Sequence, residues 1–406
     1  MIHKEKLANG LTVVVEPIDT VKSVTVGIWI KTGSRDETKT NNGISHFIEH
    51  MLFKGTSKYS PKAIAEAFDS IGGEINAFTS REYTCLYAKV LDQHIHFALD
   101  IMIDMIVASS FDTVEIEREK KVVLEEINMT EDTPDDIIHD YLMELVYKDN
   151  PLAYPILGTK QTVKNLTRES ILDYYRKHYS ATNMVVSIAG SIEIEQLYSI
   201  HEKLEVIPSR ECSSSVRKEP NYSINKLVKH KEIEQAHISI ALPGVGIKDE
   251  RQYPFMLMNN LIGGSMSSML FQKIREEKGL AYTIFSYNNA FIDTGLWTIY
   301  AATSPKEIDH VIQSIYTILK DVSKKGFQEA QLHVSKEQLK GFYLLGLEST
   351  NSRMSRNARN EMILHDHPTL EDTIAKIDQI TLQELNGVTK QISIDDIATA
   401  IITSPN

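Results

Sequence analysis

Ser23-Val-Thr-Val-Gly-Ile-Trp-Ile30 in the first half of the chain and His237-Ile-Ser-Ile-Ala-Leu242 in the second are the stretches on which the fold turns. Each alternates with the two-residue period of a half-buried strand. Each then runs into a charged turn, Arg35-Asp36-Glu37 in one half and Lys248-Asp249-Glu250 in the other. Working outward, the same order of elements follows both. A helix over 44–53 or 254–261 leads to paired strands over 74–91 or 282–302, and then to an amphipathic helix over 94–106 or 306–322. Between Val206 and Asn225, Pro208, Ser209, Ser213, Ser214, Ser215 and Pro220 interrupt any apolar period, which marks a linker. The expected architecture is α+β: two repeated domains, each a mainly antiparallel sheet with helices packed on one face, enclosing a peptide cleft. Residues 1–208 form the first domain, 209–225 the linker and 226–406 the second repeat.

At 406 residues the chain suits two cores better than one. Hydrophobic content of 42% and charged content of 24% describe a globular protein. The formal charge of −12, with no dominant Lys/Arg block, argues against nucleic-acid binding. No stretch is apolar for long enough to span a membrane. The two cysteines, Cys85 and Cys212, provide neither a disulfide framework nor a thiolate metal site. The N-terminal residues run straight into the strand-like Leu11–Glu16 and leave no room for a signal core, so a cytoplasmic location is expected.

The chemistry starts at His46-Phe-Ile-Glu49-His50. On a helix, residues four apart share a face, so His46 and His50 present two imidazoles to one point, with Glu49 on the same side. Neutral imidazoles are preferred zinc ligands, and an adjacent carboxylate can take a proton from water. The letter order inverts the commoner His-Glu-x-x-His helix and is itself a zinc-peptidase pattern. The plainer alternative is two packing histidines and a solvated Glu. A catalytic zinc needs a third protein ligand. Over 115–129, Ile116, Val122, Val123 and Ile127 define an apolar face with Glu119 and Glu126 in its middle. Buried carboxylates require a partner, so one of these two could ligate zinc while the other holds a ligand histidine by its second nitrogen.

These residues, with the run His46 to Thr56, closely resemble the pitrilysin/insulinase family of zinc metallopeptidases. The likeness is greatest to its two-domain members, which include the catalytic subunit of mitochondrial processing peptidase and bacterial homologues. The resemblance spans both halves. It implies one Zn2+ per chain held by His46, His50 and Glu126, with Glu119 supporting a ligand. Glu49 is then the general base for a metal-activated water in an endopeptidase that binds peptides in extended form. Gly72 to Tyr83 resembles the family's substrate-pairing edge strand, which implies that Asn76, Ala77 and Phe78 bind substrate. Gly263 to Tyr282 resembles its glycine-rich segment, with Arg275 holding substrate and Tyr282 stabilising the tetrahedral intermediate. Met256-Leu-Met-Asn-Asn260 stands where the first repeat has its histidine helix and cannot bind zinc, so the second domain would contribute substrate contacts only. Larger relatives join four such domains, which implies a homodimer here. The rival expectation is a non-catalytic structural or substrate-binding subunit of a processing peptidase complex.

Overall fold

A computed structural model describes residues 2–210 and 217–405. The middle of the expected linker, with Cys212, lies outside the described residues. The first sheet is built from β1 (His3–Lys6), β2 (Thr12–Pro17), β3 (Ser23–Ile30), β4 (Glu74–Thr79), β5 (Thr84–Leu91) and β6 (Met184–Gly190), in the order β1-β2-β6-β3-β5-β4. The second contains β7 (Lys226–His230), β8 (Ala236–Pro243), β9 (Ala281–Ala290), β10 (Gly295–Thr303) and β11 (Ala398–Thr403), in the order β7-β11-β8-β10-β9. With β1 set aside, the orders correspond strand for strand. Even the single parallel pair falls in the same place, β2 beside β6 and β7 beside β11, while all other pairs are antiparallel. The repeat read from element order is therefore a repeat of topology.

Alternation decides which face each strand buries. In β3, Val24, Val26, Ile28 and Ile30 enter the main core of the first sheet beneath its helices, whereas Trp29 joins Val14, Cys85 and Val185 on the opposite face. In β8, Ile238 and Ile240 do the same for the second sheet, leaving Ala241 on the other side. The thick helical layer lies on one face, as the amphipathic helices require. The other face of each sheet carries one helix that comes from the opposite half of the sequence.

Met354 and Ala358 of the Thr350–Arg359 helix close the first sheet, where Thr25 and Thr350 hydroxyls lie 2.8 Å apart and the Ser187 hydroxyl donates to the Met354 carbonyl at 2.8 Å. Gly27 permits this approach, since a Cβ there would meet Met354 Sδ and Trp29 Nε1. Ile138, Leu142, Met143 and Val146 of the Pro134–Val146 helix pack on Ala241, Tyr300, Ala400 and Ile402 of the second sheet. The two compact units are accordingly discontinuous. One comprises Met1–Met129, Tyr154–Arg217 and Gly346–His367, the other Thr130–Ala153, Lys218–Leu345 and Pro368–Asn406. A linear division at 208 and 225 misassigns 130–153 and 346–367, because an amphipathic helix declares that one of its faces is buried and not which sheet buries it.

Candidate active site

The helix Ile44–Leu52 buries Ile44, Phe47, Ile48, Met51 and Leu52 completely, and this leaves His46, Glu49 and His50 along its other side. Its N-terminus is fixed by Gly43, whose φ of 93° lies in the left-handed region. A Cβ on Gly43 would stand 2.6 Å from the Leu157 carbonyl oxygen. Glycine is required there both by conformation and by space.

His46 Nε2 lies 3.7 Å and His50 Nε2 3.6 Å from Glu126 Oε2. One ligand atom from each of the three residues falls within 4.8 Å of the others, and no second group of this kind occurs among the described residues. Zinc with bonds of about 2.0–2.2 Å places tetrahedral ligands on the order of 3.4 Å apart, so this donor set suits a single ion. Burial, followed by the neighbouring His50, holds the His46 pKa down at about 3, which leaves the imidazole neutral and able to ligate. Burial also works against protonation of His50. There the hydrogen bond and charge of Glu119 outweigh it, and the pKa stands above the ordinary value.

Glu119 Oε1 accepts from His50 Nδ1 at 2.7 Å, which turns Nε2 toward Glu126, and Glu119 Oε2 pairs with Lys54 Nζ at 2.7 Å. Glu119 is buried. Glu126 is not: its side chain is 41% exposed, and Val122 is 50% exposed. This corrects the face read from the sequence. At 100° per residue Ile116, Val123 and Ile127 centre the buried stripe, with Glu119 about 60° away, Glu126 about 80° and Val122 about 120°. Val122 is apolar yet lies outside the buried stripe, so the face is narrower than apolarity alone implies. Glu126 instead sits at the margin, where it can reach the two imidazoles.

Glu49 Oε2 accepts a hydrogen bond of 2.5 Å from Thr79 Oγ1. Burial raises its pKa, while the Thr79 hydroxyl pulls the other way. Thr79 ends β4, which among the described residues is an edge strand paired with β5 alone. Ala77 lies on the same face as Thr79 and packs toward the core beneath the helix. Asn76 and Phe78 alternate to the opposite face. The Phe78 ring there lies 5.5 Å from Trp29, 6.3 Å from Tyr83 and 6.2 Å from Tyr87. Of the three residues expected to line a binding strand, only Ala77 shares the face of Glu49.

Models of two successive domains match the sequence, "Insulinase (Peptidase family M16)" over residues 12–160 and "Peptidase M16 inactive domain" over 165–339. A Bacillus subtilis protein named Uncharacterized zinc protease YmxG is 44% identical over 99% of this chain and 98% of its own length. The chain belongs to peptidase family M16. A Streptomyces coelicolor protein named Uncharacterized zinc protease SCO5738 is 36% identical over 96% of this chain and 87% of its own length. The fold is that of a Helicobacter pylori protease structure, with a TM-score of 0.93 at 21% identity over 100% of this chain and 99% of that one. A Pseudomonas fluorescens peptidase M16 inactive domain gives a TM-score of 0.93 at 16% identity, covering 100% and 98%.

In the second M16 unit, Arg275 and Tyr282 are brought together. The guanidinium carbon lies 5.2 Å from the centre of the Tyr282 ring and 4.6 Å from that of Phe271, and Tyr282 is 73% exposed near the start of the edge strand β9. The helix Gln252–Asn259 offers no ligand set; Asn259 Oδ1 accepts from Ser286 Oγ and Trp297 Nε1, both at 2.8 Å. Two polar partners of the site escaped the sequence reading, Thr79 and Lys54. Thr79 was within reach of it, because strand alternation from Ala77 places it on the face of the helix.

Proposed function

We propose that this M16 chain is a zinc-dependent endopeptidase in which His46, His50 and Glu126 hold the metal and Glu49 is the general base. The observation that carries this reading is the convergence of two imidazoles and one carboxylate beside a second, half-buried carboxylate already engaged by a hydroxyl. Zinc held there would supply Lewis acidity at a scissile carbonyl and lower the pKa of water. Glu49 accepts the proton of the attacking water and returns it to the leaving amine, and burial raises its basicity for that task. Glu119 keeps the proton of His50 on Nδ1 and so keeps the Nε2 lone pair directed at the metal position. The free edge of β4 pairs with an extended peptide by main-chain hydrogen bonds, so substrates are selected by extension more than by sequence. Arg275 and Tyr282 contribute binding and oxyanion stabilisation, and the chain works as a homodimer in the cytoplasm. Among the described residues no helix is long and apolar enough to cross a membrane.

Incubation of purified protein with a mixed peptide library, with and without a chelator, tests the activity through mass spectrometry of the products. Internal cleavages that vanish with chelator and return with zinc are expected. Intact peptides from a zinc-loaded, folded protein would leave only a non-catalytic subunit. Light scattering on the same sample reads the oligomeric state.

A further inference from the structure

We propose that Glu37 is the positioning residue of this site: its buried carboxylate couples the helix bearing His46, Glu49 and His50 to the strand end bearing Thr79, and thereby sets zinc affinity and turnover. Glu37 is only 3% exposed and touches no ligand. Its Oε2 accepts from Gly43 N at 2.7 Å and Asn42 Nδ2 at 2.8 Å, and its Oε1 accepts from Ser45 N at 2.8 Å. Gly43 and Ser45 stand at the helix N-terminus, whose N–H groups have no partner within the helix and favour a negative charge. Ser45 directly precedes His46, and its hydroxyl is also held, 2.9 Å from that of Tyr174.

The segment carrying Glu37 is tied at its other end to the β4–β5 turn. Ser34 N donates to the Ser80 carbonyl at 3.2 Å, Arg35 N to the Arg81 carbonyl at 2.8 Å, and Arg35 Nη1 to Glu82 Oε1 at 2.7 Å. That turn begins at the residue after Thr79. Hydrogen bonds and short covalent links thus run from Ser80, next to Thr79, through residues 34–37 to the first turn of the metal-binding helix. Glu49 and Thr79 meet at the end of that path. Burial lifts the Glu37 pKa to about 7 against the hydrogen bonds of Ser45, Asn42 and Gly43. Its two acceptor oxygens complete the link where Gln would offer one and turn an NH2 toward a backbone donor, and Asp is one methylene short.

The proposal rests on the zinc-peptidase reading, and metal affinity is measured separately from hydrolysis so that the two can fail separately. Zinc affinity of the whole protein by competition with a chromogenic chelator, steady-state kinetics and thermal melts are compared for the parent, Glu37→Gln, Glu37→Asp and Glu384→Gln. Glu384 is an exposed carboxylate that caps another helix, accepting from Thr381 N at 2.7 Å. Glu37→Gln is expected to weaken zinc binding ~10-fold or more and to lower kcat with little change in KM, with Glu37→Asp intermediate. Glu384→Gln should shift only the melt. A Glu37→Gln protein that melts lower yet binds zinc as the parent does reduces Glu37 to a structural cap and overturns the proposal. If Glu37→Gln is insoluble, Asn42→Ala decides by the same measurement: weaker zinc binding supports the coupling, and unchanged binding removes it. Tight zinc binding without hydrolysis in the parent would sink the peptidase reading and leave this test standing.

Discussion

Glu49 is pulled two ways, its proton affinity raised by burial and lowered by the Thr79 hydroxyl. Thr79→Val removes the lowering influence, so the Glu49 pKa should climb further and the acid limb of the kcat/KM profile should move to higher pH. An unmoved limb would mean that Glu49 is not the group titrating there. Glu49→Gln, nearly isosteric but unable to take a proton, should retain zinc and lose ~10²-fold or more in turnover. In metal-free protein, NMR titration should separate the two imidazoles, with His50 titrating above the ordinary histidine value and His46 near 3. Two histidines titrating together would contradict their different burial and the Glu119 bond. At this scale the spacing of His46, Glu49 and His50 along one helix and of Glu119 and Glu126 along another was legible in the sequence, whereas the joining of the two sets, with Glu126 as the ligand, came from the family resemblance. Thr79 follows from the alternation of β4, whereas Glu37 reaches the site through a turn and no local period connects it to the helix.

The helix Thr113–Asp132 shows what periodicity decides and what it leaves to packing. Its apolar positions specify a helix with one buried stripe, but its width is set by the neighbours, and Val122 falls outside it. Ile116→Ala should therefore destabilise by about 2–5 kcal/mol, and Val122→Ala by no more than ~0.5, in denaturant melts. Comparable losses would restore the wider face. On the same helix Glu126→Gln should weaken zinc retention, whereas Glu125→Gln, one residue round and exposed, should not. Elemental analysis after dialysis against a mild chelator distinguishes them. The strand β4 gives the same lesson, since the edge position was readable from its likeness to a family segment while the side-chain directions of Asn76 and Phe78 needed the register with β5.

Across the whole molecule, the duplicated topology was visible in the order of elements, and the crossing of two helices was not. The apolar faces of Pro134–Val146 and Thr350–Arg359 are compatible with either sheet, and only the three-dimensional path assigns them. A chain ending at residue 208 keeps every expected zinc ligand. It also carries Ile138, Leu142, Met143 and Val146 with no sheet to cover them, and it leaves Trp29 and Cys85 uncovered. Such a chain should aggregate or melt without a cooperative transition, and a sharp melt in a soluble monomer would show that the exchanged helices are dispensable. The same crossing makes the covalent link between the halves redundant. Produced together as separate polypeptides, residues 1–210 and 217–406 each lend a helix that the other's sheet lacks, so they should assemble into an obligate two-fragment complex that withstands co-purification and holds zinc, with the backbone connection replaced by mutual complementation.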